Sequence, residues 1–494
     1  MNSHRRLWLA LTILLVATFG VLLWSGKQIR DNAPPMPERV VSATGATIYT
    51  RDDIELGREV WQSIGGMQLG SIWGHGAYVA PDWSADALHR EAMAILDLWA
   101  ARQSPGTSYS QLPAEARAAL QGRLQLAMRA NTWDPASGVI TVDADRAAAM
   151  QTVAKHYMGL FGNDPAWSTL REAYAMKEGT VPDAEHRRVL AAFIWWTAWA
   201  TTTERHTDAA RTLAPQQQGV EPQRVTYTNN WPGEPLVGNR PPPATWVWSA
   251  FSVLFLIAGV ALLGWHHAVT QGREQEPVVP ERDPMAALQL TPSMQATAKY
   301  FWLVLALFLV QILLGAMTAH FQVEGQQAYG FALSEVLPYS ITRTWHTQLA
   351  VLWIATAWLG TGLYIAPAIS GHEPRLQRFF VNALFVCLLV IVVGAFWGQW
   401  MAVMQKLGLA DNFWFGHQGW EYADIGRFWQ IFLFIGLLLW LWLVGRALWP
   451  VLRGPRTDTR AIVGLLFLST VAIGLFYGAG LMWGEHTHIS IVEY

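Results

Sequence analysis

Seven apolar runs without a charged residue constrain this chain more than any other feature, because each is long enough to cross a bilayer. A helix needs about 20 residues to span the hydrocarbon core, and a single span satisfies its backbone hydrogen bonds only as a helix. The sequence therefore predicts an all-α polytopic membrane protein. The runs are 7–25, 246–265, 300–319, 344–370, 379–405, 428–445 and 461–484.

The basic residues between these runs predict the orientation of the chain. Cytoplasmic loops are enriched in Lys and Arg. One side carries Arg5, Arg6, Arg273, Arg282, Lys299, Arg375, Arg378, Arg446, Arg453, Arg456 and Arg460. The short loops opposite carry Lys406, Arg427 and Arg343. We therefore expect the N-terminus in the cytoplasm and residues 26–245 outside it. The first run lacks a small-x-small cleavage site, so an uncleaved anchor is predicted for residues 1–25.

Charge content argues against nucleic-acid binding, and cysteine content excludes an intrachain disulfide. The net charge is −2 and no basic stripe occurs, so nucleic acid is not a predicted partner. Cys387, the one cysteine, lies inside an apolar run and forms no disulfide within the chain. It is most simply a small core residue.

Residues 26–245 have the length of one domain and are predicted to form a single extracytoplasmic domain. Proline clusters mark both of its edges. Its apolar spacing is mainly helical. The segments with this spacing are 84–101, 114–130, 145–160 and 191–203. The glycine-rich segment 57–83 leaves two interpretations open: a close approach of backbone to another part of the molecule, or a plain turn-rich loop.

No Cys-x-x-Cys-His motif occurs, which excludes covalent haem attachment. His75, in the glycine-rich segment, is more simply structural than a ligand.

Polar side chains converge on the predicted outer face of the membrane. Polar residues within spans are functional candidates, because they are costly in lipid. His320 and Glu324 are four residues apart and share a face if their helix continues. His346 is the deepest of the set, about one turn inside its span, and a neutral imidazole there suits axial ligation of haem iron.

Two further groups complete this set. His417 and Glu421 share one outer loop, again four residues apart, and His486 and His488 end the last span. A helix-end histidine is often only hydrogen-bonded at the interface, and this interpretation stays open for each of them.

Four long stretches of the chain resemble the quinol-dependent nitric oxide reductases, single-chain members of the haem–copper oxidase superfamily. These stretches are 59–83, 320–364, 394–430 and 472–494. The resemblance implies a haem–copper-oxidase-like helix bundle at 246–494, holding the first six helices of that core. It also implies a cytochrome c-like insert at 26–245 that lacks haem c, in the cytoplasmic membrane of a bacterium.

The resemblance also implies roles for individual residues. His346 matches one of two axial ligands of a low-spin haem b. Glu421 and Tyr78 match ligands of a calcium ion that bridges the haem propionates, and oxygen ligands suit that cation. His320 and Glu324 resemble the pair lining the quinol pocket, where both side chains can accept protons. The implied reaction reduces two NO to N2O and water with electrons from quinol. The implied partners are quinol, nitric oxide and membrane lipid, and a homodimer stays open.

This chain departs from the family pattern at its C-terminal end. In the family, the segment that follows supplies ligands of the non-haem iron, of the high-spin haem b and the second ligand of the low-spin haem. We therefore expect this chain to be the N-terminal part of the enzyme, without a catalytic residue of its own. His486 and His488 are not expected to substitute for the iron ligands.

Three alternatives compete with this function. The chain could be a non-catalytic membrane fragment that binds haem or quinol. A transporter would show inverted repeats or broken helix pairs, which the sequence lacks. An oxygen-reducing oxidase of the same superfamily is the nearest enzymatic alternative, and the 57–83 segment argues against it.

Overall fold

A computed structural model describes residues 2–74, 79–205, 225–270, 281, 283–325, 329–331, 333–419 and 425–483. The architecture is mainly helical, as the sequence predicted. The first membrane helix is α1 (Asn2–Asp31), and the described part of the insert contains six more α-helices. These are α2 (Arg51–Ser63), α3 (Trp83–Gln103), α4 (Ala114–Arg129), α5 (Ala144–Leu160), α6 (Ser168–Ala173) and α7 (Ala184–Thr202).

The described residues after the insert form six further membrane helices and two short α-helices. The long helices are α8 (Pro243–Thr270), α10 (Ala298–Val323), α11 (Tyr339–Ser370), α12 (Gln377–Val403), α14 (Arg427–Arg453) and α15 (Asp458–Trp483). The short ones are α9 (Pro292–Ala296) and α13 (Leu409–Phe415). Among the described residues, seven helical segments are long and apolar enough to cross a membrane. The expectation of a polytopic membrane protein is therefore confirmed.

Helices α10, α11, α12, α14 and α15 pack into one bundle through small residues that face large ones. A Cβ atom on Gly362 of α11 would lie 2.4 Å from the indole of Trp440 on α14. The same indole donates a hydrogen bond to the carbonyl of Leu359 at 2.9 Å and stacks on Trp358, with centroids 4.4 Å apart. Close packing and a satisfied indole N–H together hold α14 against α11.

Helices α1 and α8 differ from this bundle, because their described apolar side chains are exposed along most of their length. Trp248, Phe255 and Leu263 of α8 are typical examples. An apolar surface of this kind suits contact with lipid acyl chains, which are the solvent of a span.

The insert is held by a tight crossing of α2 and α7. Gly57 allows it, because a Cβ atom at this position would lie 1.9 Å from the carbonyl oxygen of Val189. Trp61, Trp83 and Trp199 are fully buried in the core around this crossing. The large area that such side chains remove from water stabilises the domain.

A small four-stranded sheet was not predicted from the sequence. Its strands are β1 (Arg39–Ser42), β2 (Thr47–Thr50), β3 (Trp133–Asp134) and β4 (Val139–Val142), in the order β2-β1-β4-β3. The two hairpins are antiparallel, and β1 pairs with β4 in parallel. No strand in this sheet exceeds four residues, which is too short for a clear alternation of apolar residues.

Glycines join the insert to the membrane bundle, which decides between the two interpretations of the 57–83 segment in favour of a close approach. A Cβ atom on Gly66 would lie 2.2 Å from the Cα of Gly419, in the loop before α14. The adjacent Met67 N–H donates to the Gly419 carbonyl at 3.0 Å, and Arg343 of α11 donates to the Met67 carbonyl at 3.0 Å. The segment is therefore the main point of attachment between the two parts.

We predict that Gly66→Ala loosens this attachment. Gly66 has a φ of 49°, so the substitution combines left-handed strain of about 1 to 2 kcal/mol with a clash against backbone. Gly45→Ala is the matched control, because Gly45 also has positive φ but has no atom within 4 Å of its Cβ position. Limited proteolysis and the thermal unfolding midpoint of the detergent-solubilised protein should show a clearly larger effect for Gly66→Ala. Equal effects of the two variants would contradict the attachment.

Candidate functional site

His346 lies on α11, and its ring nitrogens have different environments. The helix begins at Tyr339, five residues before the uncharged run, so His346 lies two turns inside the helix rather than one. Its Nδ1 is 2.9 Å from the backbone carbonyl of Gln311 on α10. A carbonyl only accepts hydrogen bonds, so Nδ1 carries the proton and donates it. Nε2 of the neutral ring therefore keeps its lone pair.

Helix α10 is shaped to accept this ring. Gly315 follows Gln311 by one turn, and a Cβ atom there would lie 2.7 Å from Cε1 of His346. The side-chain Oε1 of Gln311 accepts a second bond from the indole of Trp353, also on α11, at 2.7 Å. Backbone and side chain of one residue thus fix two side chains of the neighbouring helix.

These contacts fit an axial ligand of haem iron. Metal-bound histidines usually donate their other ring N–H to a carbonyl or carboxylate, which orients the ring. In the part of the chain that the structure describes, Nε2 of His346 has no hydrogen-bond partner. Gln348 and Gln399 are buried in the same bundle, and neither amide has a partner among the described residues. Buried amides are nearly always hydrogen-bonded, so their pairing is left to a group other than the described residues.

His320 and Glu324 meet as the sequence predicted, although the helix does not continue through them. Helix α10 ends at Val323, and Glu324 is its C-terminal cap, with its N–H bonded to the His320 carbonyl at 3.0 Å. Nδ1 of His320 is in hydrogen-bond contact with a carboxylate oxygen of Glu324. Both side chains are about half exposed, at 52% and 51%.

An aromatic cluster lies beside this pair. The ring of Tyr329 is 6.0 Å from that of His320 and 5.9 Å from Phe321. Phe331 is 6.4 Å from Tyr329 and is 62% exposed. Exchangeable protons and accessible aromatic faces therefore lie together where α10 ends.

His417 has a structural role, because both ring nitrogens are hydrogen-bonded. Nε2 is 2.9 Å from the hydroxyl of Thr344, and Nδ1 accepts from the N–H of Gly419 at 2.9 Å. The side chain of Asn412 accepts from the backbone N–H of His417 at 2.8 Å and donates to the carbonyl of His417 at 3.0 Å. Complete burial lowers the pKa of His417 to about 3, so the ring is neutral at physiological pH. Of the two roles left open for His417, hydrogen bonding at the interface is therefore better supported than metal ligation.

The remaining candidates lie outside the described residues. These are Tyr78, Glu421, His75, His486 and His488. The described residue next to Tyr78 is Val79, and the last described residue before Glu421 is Gly419. Gly419 packs against the insert, with Gln62 only 2.9 Å from its Cβ position. Among the described residues, no group of three or more His, Cys, Asp and Glu side chains is placed to hold a metal ion.

Sequence reasoning did not assign roles to Gln311, Gln348 and Gln399. Each is an amide inside an otherwise apolar run, and this is the signal that marks them. Gln311 acts partly through its backbone carbonyl, which no residue type reveals.

Two sequence families match this chain. The NorB family of cytochrome c-like domains, which belong to nitric oxide reductase, matches residues 37–233. The family described as cytochrome c and quinol oxidase polypeptide I matches residues 295–492. A nitric oxide reductase chain of the NorB kind from Stutzerimonas stutzeri is 25% identical over 189 residues, which are 37% of this chain and 38% of the relative. The match thus spans well under half of that relative.

The buried imidazole of His417 predicts a pH-dependent stability. A folded pKa of about 3, below the ordinary 6.5, means that unfolding takes up a proton as the pH falls through 6.5. Stability supplied by His417 is therefore present above pH 6.5 and decreases by up to about 1.4 kcal/mol per pH unit below it. His417→Gln should be less stable than the wild type at pH 8, and this difference should narrow between pH 6.5 and 5.

The measurement is urea unfolding in detergent, followed by tryptophan fluorescence. His266→Gln, at an exposed position near the end of α8, is the control for loss of an exposed histidine. A stability difference for His417→Gln that stays constant from pH 8 to pH 5 would contradict a neutral buried ring.

Proposed function

We propose that this chain, which matches the NorB cytochrome c-like domain at residues 37–233 and the cytochrome c and quinol oxidase polypeptide I family at residues 295–492, carries the electron-entry part of a quinol-dependent nitric oxide reductase. The overall reaction is QH2 + 2 NO → Q + N2O + H2O. Quinol is oxidised by two electrons and releases two protons, and the two NO molecules take up both. One observation carries the proposal: the Gln311 carbonyl holds the Nδ1 proton of His346 and leaves Nε2 for a metal.

His346 would hold a low-spin haem b through Nε2. A haem bound there supplies one-electron redox chemistry between quinol and the place where NO is reduced. The residues around it do the positioning: Gln311 fixes the ring, and Gly315 gives it room. Gln348 and Gln399 provide buried amides that can bind polar groups of the cofactor.

His320 and Glu324 would take the protons that quinol releases. The two side chains are in contact and half exposed, so a proton accepted by either can pass to solvent. The rings of Tyr329 and Phe331 provide flat apolar faces for the quinol ring, and the buried Phe321 packs behind Tyr329.

Glu421 and Tyr78 would bind the calcium ion that the resemblance implies. Support comes from their flanking residues, because Gly419 is held against Gly66 and Gln62 at the attachment between the insert and the bundle. Both the high-spin haem b and the non-haem iron remain part of the proposal for the whole enzyme.

The direct test of this function combines the gene with an assay. The coding region is sequenced through and beyond the codon of Tyr494, and NO consumption with a reduced quinone is measured in membranes that contain the encoded protein. The proposal predicts further membrane helices with histidine ligands and quinol-dependent NO loss. An ended reading frame together with no NO consumption would favour the non-catalytic fragment.

We predict that His346→Ala abolishes the low-spin haem signal of the protein encoded by the full reading frame. The variant removes the metal-binding nitrogen, whereas His320→Ala leaves it intact and serves as the control. Optical and electron paramagnetic resonance spectra of purified protein measure the low-spin haem. Retention of this haem by His346→Ala, or its loss from His320→Ala, would contradict the assignment.

We predict that Glu324→Gln slows quinol oxidation by about 100-fold, the usual contribution of a positioned acid–base group. The amide keeps the size of the side chain and loses its ability to accept a proton. Glu178→Gln, at an exposed position of the insert, is the control. Steady-state quinol oxidation gives kcat and KM. The same loss in both variants, or in neither, would be inconsistent with a proton-accepting role.

A further inference from the structure

The end of the bundle remote from the insert carries a repeated pair of an aromatic and a cationic residue. In α14, Arg446 lies over the ring of Trp442 and Arg453 lies over the ring of Trp449, each 4.2 Å from the ring centroid. The members of each pair are four residues apart, and the pairs are seven apart, so all four lie on one side of the helix. Each indole holds its guanidinium in a fixed plane.

A cavity of about 500 Å³ opens beside the first of these pairs. It lies among α14, α15 and the loop that joins α11 to α12. Its polar lining includes Arg446 and His372, and its apolar lining includes Leu441 and Phe467. Trp442 and Trp449 form part of the wall and are 46% and 52% exposed. The cavity therefore has a cationic end and an apolar wall.

Arg446 is fixed in place and its charge is not neutralised. One N–H donates to the carbonyl of Arg375 at 2.7 Å, and the described residues form no ion pair with Arg446. Glu373, an acid in the same loop, is bound instead by the N–H and hydroxyl of Ser293, at 3.0 and 2.9 Å. A guanidinium has five N–H donors, so most of those on Arg446 remain for a further partner.

The surroundings add positive charge. The segments 371–378 and 453–460, which join the helices at this end of the bundle, contain Glu373 and Asp458 as their only acids. Arginines outnumber these acids in the same region. The cluster consists of Arg375, Arg378, Arg446, Arg453, Arg456 and Arg460. By the orientation expected from the sequence, this end faces the cytoplasmic leaflet, where anionic lipids attract such clusters.

We propose that this cavity binds an anionic glycerophospholipid, with its phosphate on Arg446 and His372 and its acyl chains along Leu441 and Phe467. The planar fork of a guanidinium matches two phosphate oxygens, and a stacked indole keeps it oriented. A volume of about 500 Å³ lies within the range of small-molecule sites. The position at the ends of α14 and α15 places the phosphate at headgroup level and the chains in the hydrocarbon. This site is independent of the quinol pair at the opposite end of α10.

The test is lipid retention by the full chain, purified in a neutral detergent and examined by native mass spectrometry after titration with phosphatidylglycerol or phosphatidylcholine. Wild-type protein should retain phosphatidylglycerol in preference to phosphatidylcholine. Arg446→Gln should weaken retention of phosphatidylglycerol by about tenfold, as expected for loss of a charge-assisted hydrogen bond. Arg456→Gln removes an equal charge from the exposed loop nearby, outside the cavity, and should leave retention unchanged.

His372→Ala is a second variant that removes an exposed loop side chain and keeps the proposal testable if Arg446→Gln fails to fold. It should also reduce retention of phosphatidylglycerol. Equal effects of Arg446→Gln and Arg456→Gln would show attraction to net charge only and would overturn the site. Equal retention of both lipids by wild type would do the same, as would complete displacement by millimolar inorganic phosphate.

Discussion

The hydrogen bond from His346 to the backbone of Gln311 is the interaction on which the candidate site depends. Inside a span an imidazole must satisfy its polar nitrogens without water. The carbonyl accepts the Nδ1 proton, which fixes both the tautomer and the plane of the ring. Gly315 makes the approach sterically possible, and Trp353 ties the same glutamine to α11. The hydrogen bond from His346 to Gln311 therefore both holds α11 against α10 and leaves the Nε2 lone pair of His346 for a metal.

The N-terminal end of α11 also holds the insert and the loop before α14 in place. Arg343 donates to the carbonyl of Met67 and holds the insert, Thr344 binds His417 and holds the loop before α14, and His346 follows within one turn. Glycines at positions 66 and 419 bring the insert's backbone against that loop. A cofactor bound at His346 would therefore lie close to the contact between the insert and the bundle. The proposed calcium ligands, Tyr78 and Glu421, belong to segments next to this contact in sequence.

The spans and the insert helices α3, α4, α5 and α7 could be predicted from the sequence, because they follow from the length and periodicity of apolar runs. Helices α2 and α6 were not predicted. The start of α11 could not be predicted, because the charge of Arg343 ends the uncharged run from which the span was predicted. The structure buries Arg343 inside the helix, where the Met67 carbonyl binds it. The parallel pairing of β1 with β4 joins residues about a hundred positions apart, which local patterns do not encode. His320 and Glu324 were paired correctly by spacing, although a helix cap rather than a continuing helix brings them together.

A cryo-electron microscopy map of the protein purified with its native cofactors tests the central claim most directly. We predict haem density on α11, with iron bonded to Nε2 of His346 and Nδ1 still donating to the carbonyl of Gln311. Haem bound elsewhere, or a His346 ring turned so that Nδ1 faces the iron, would contradict it.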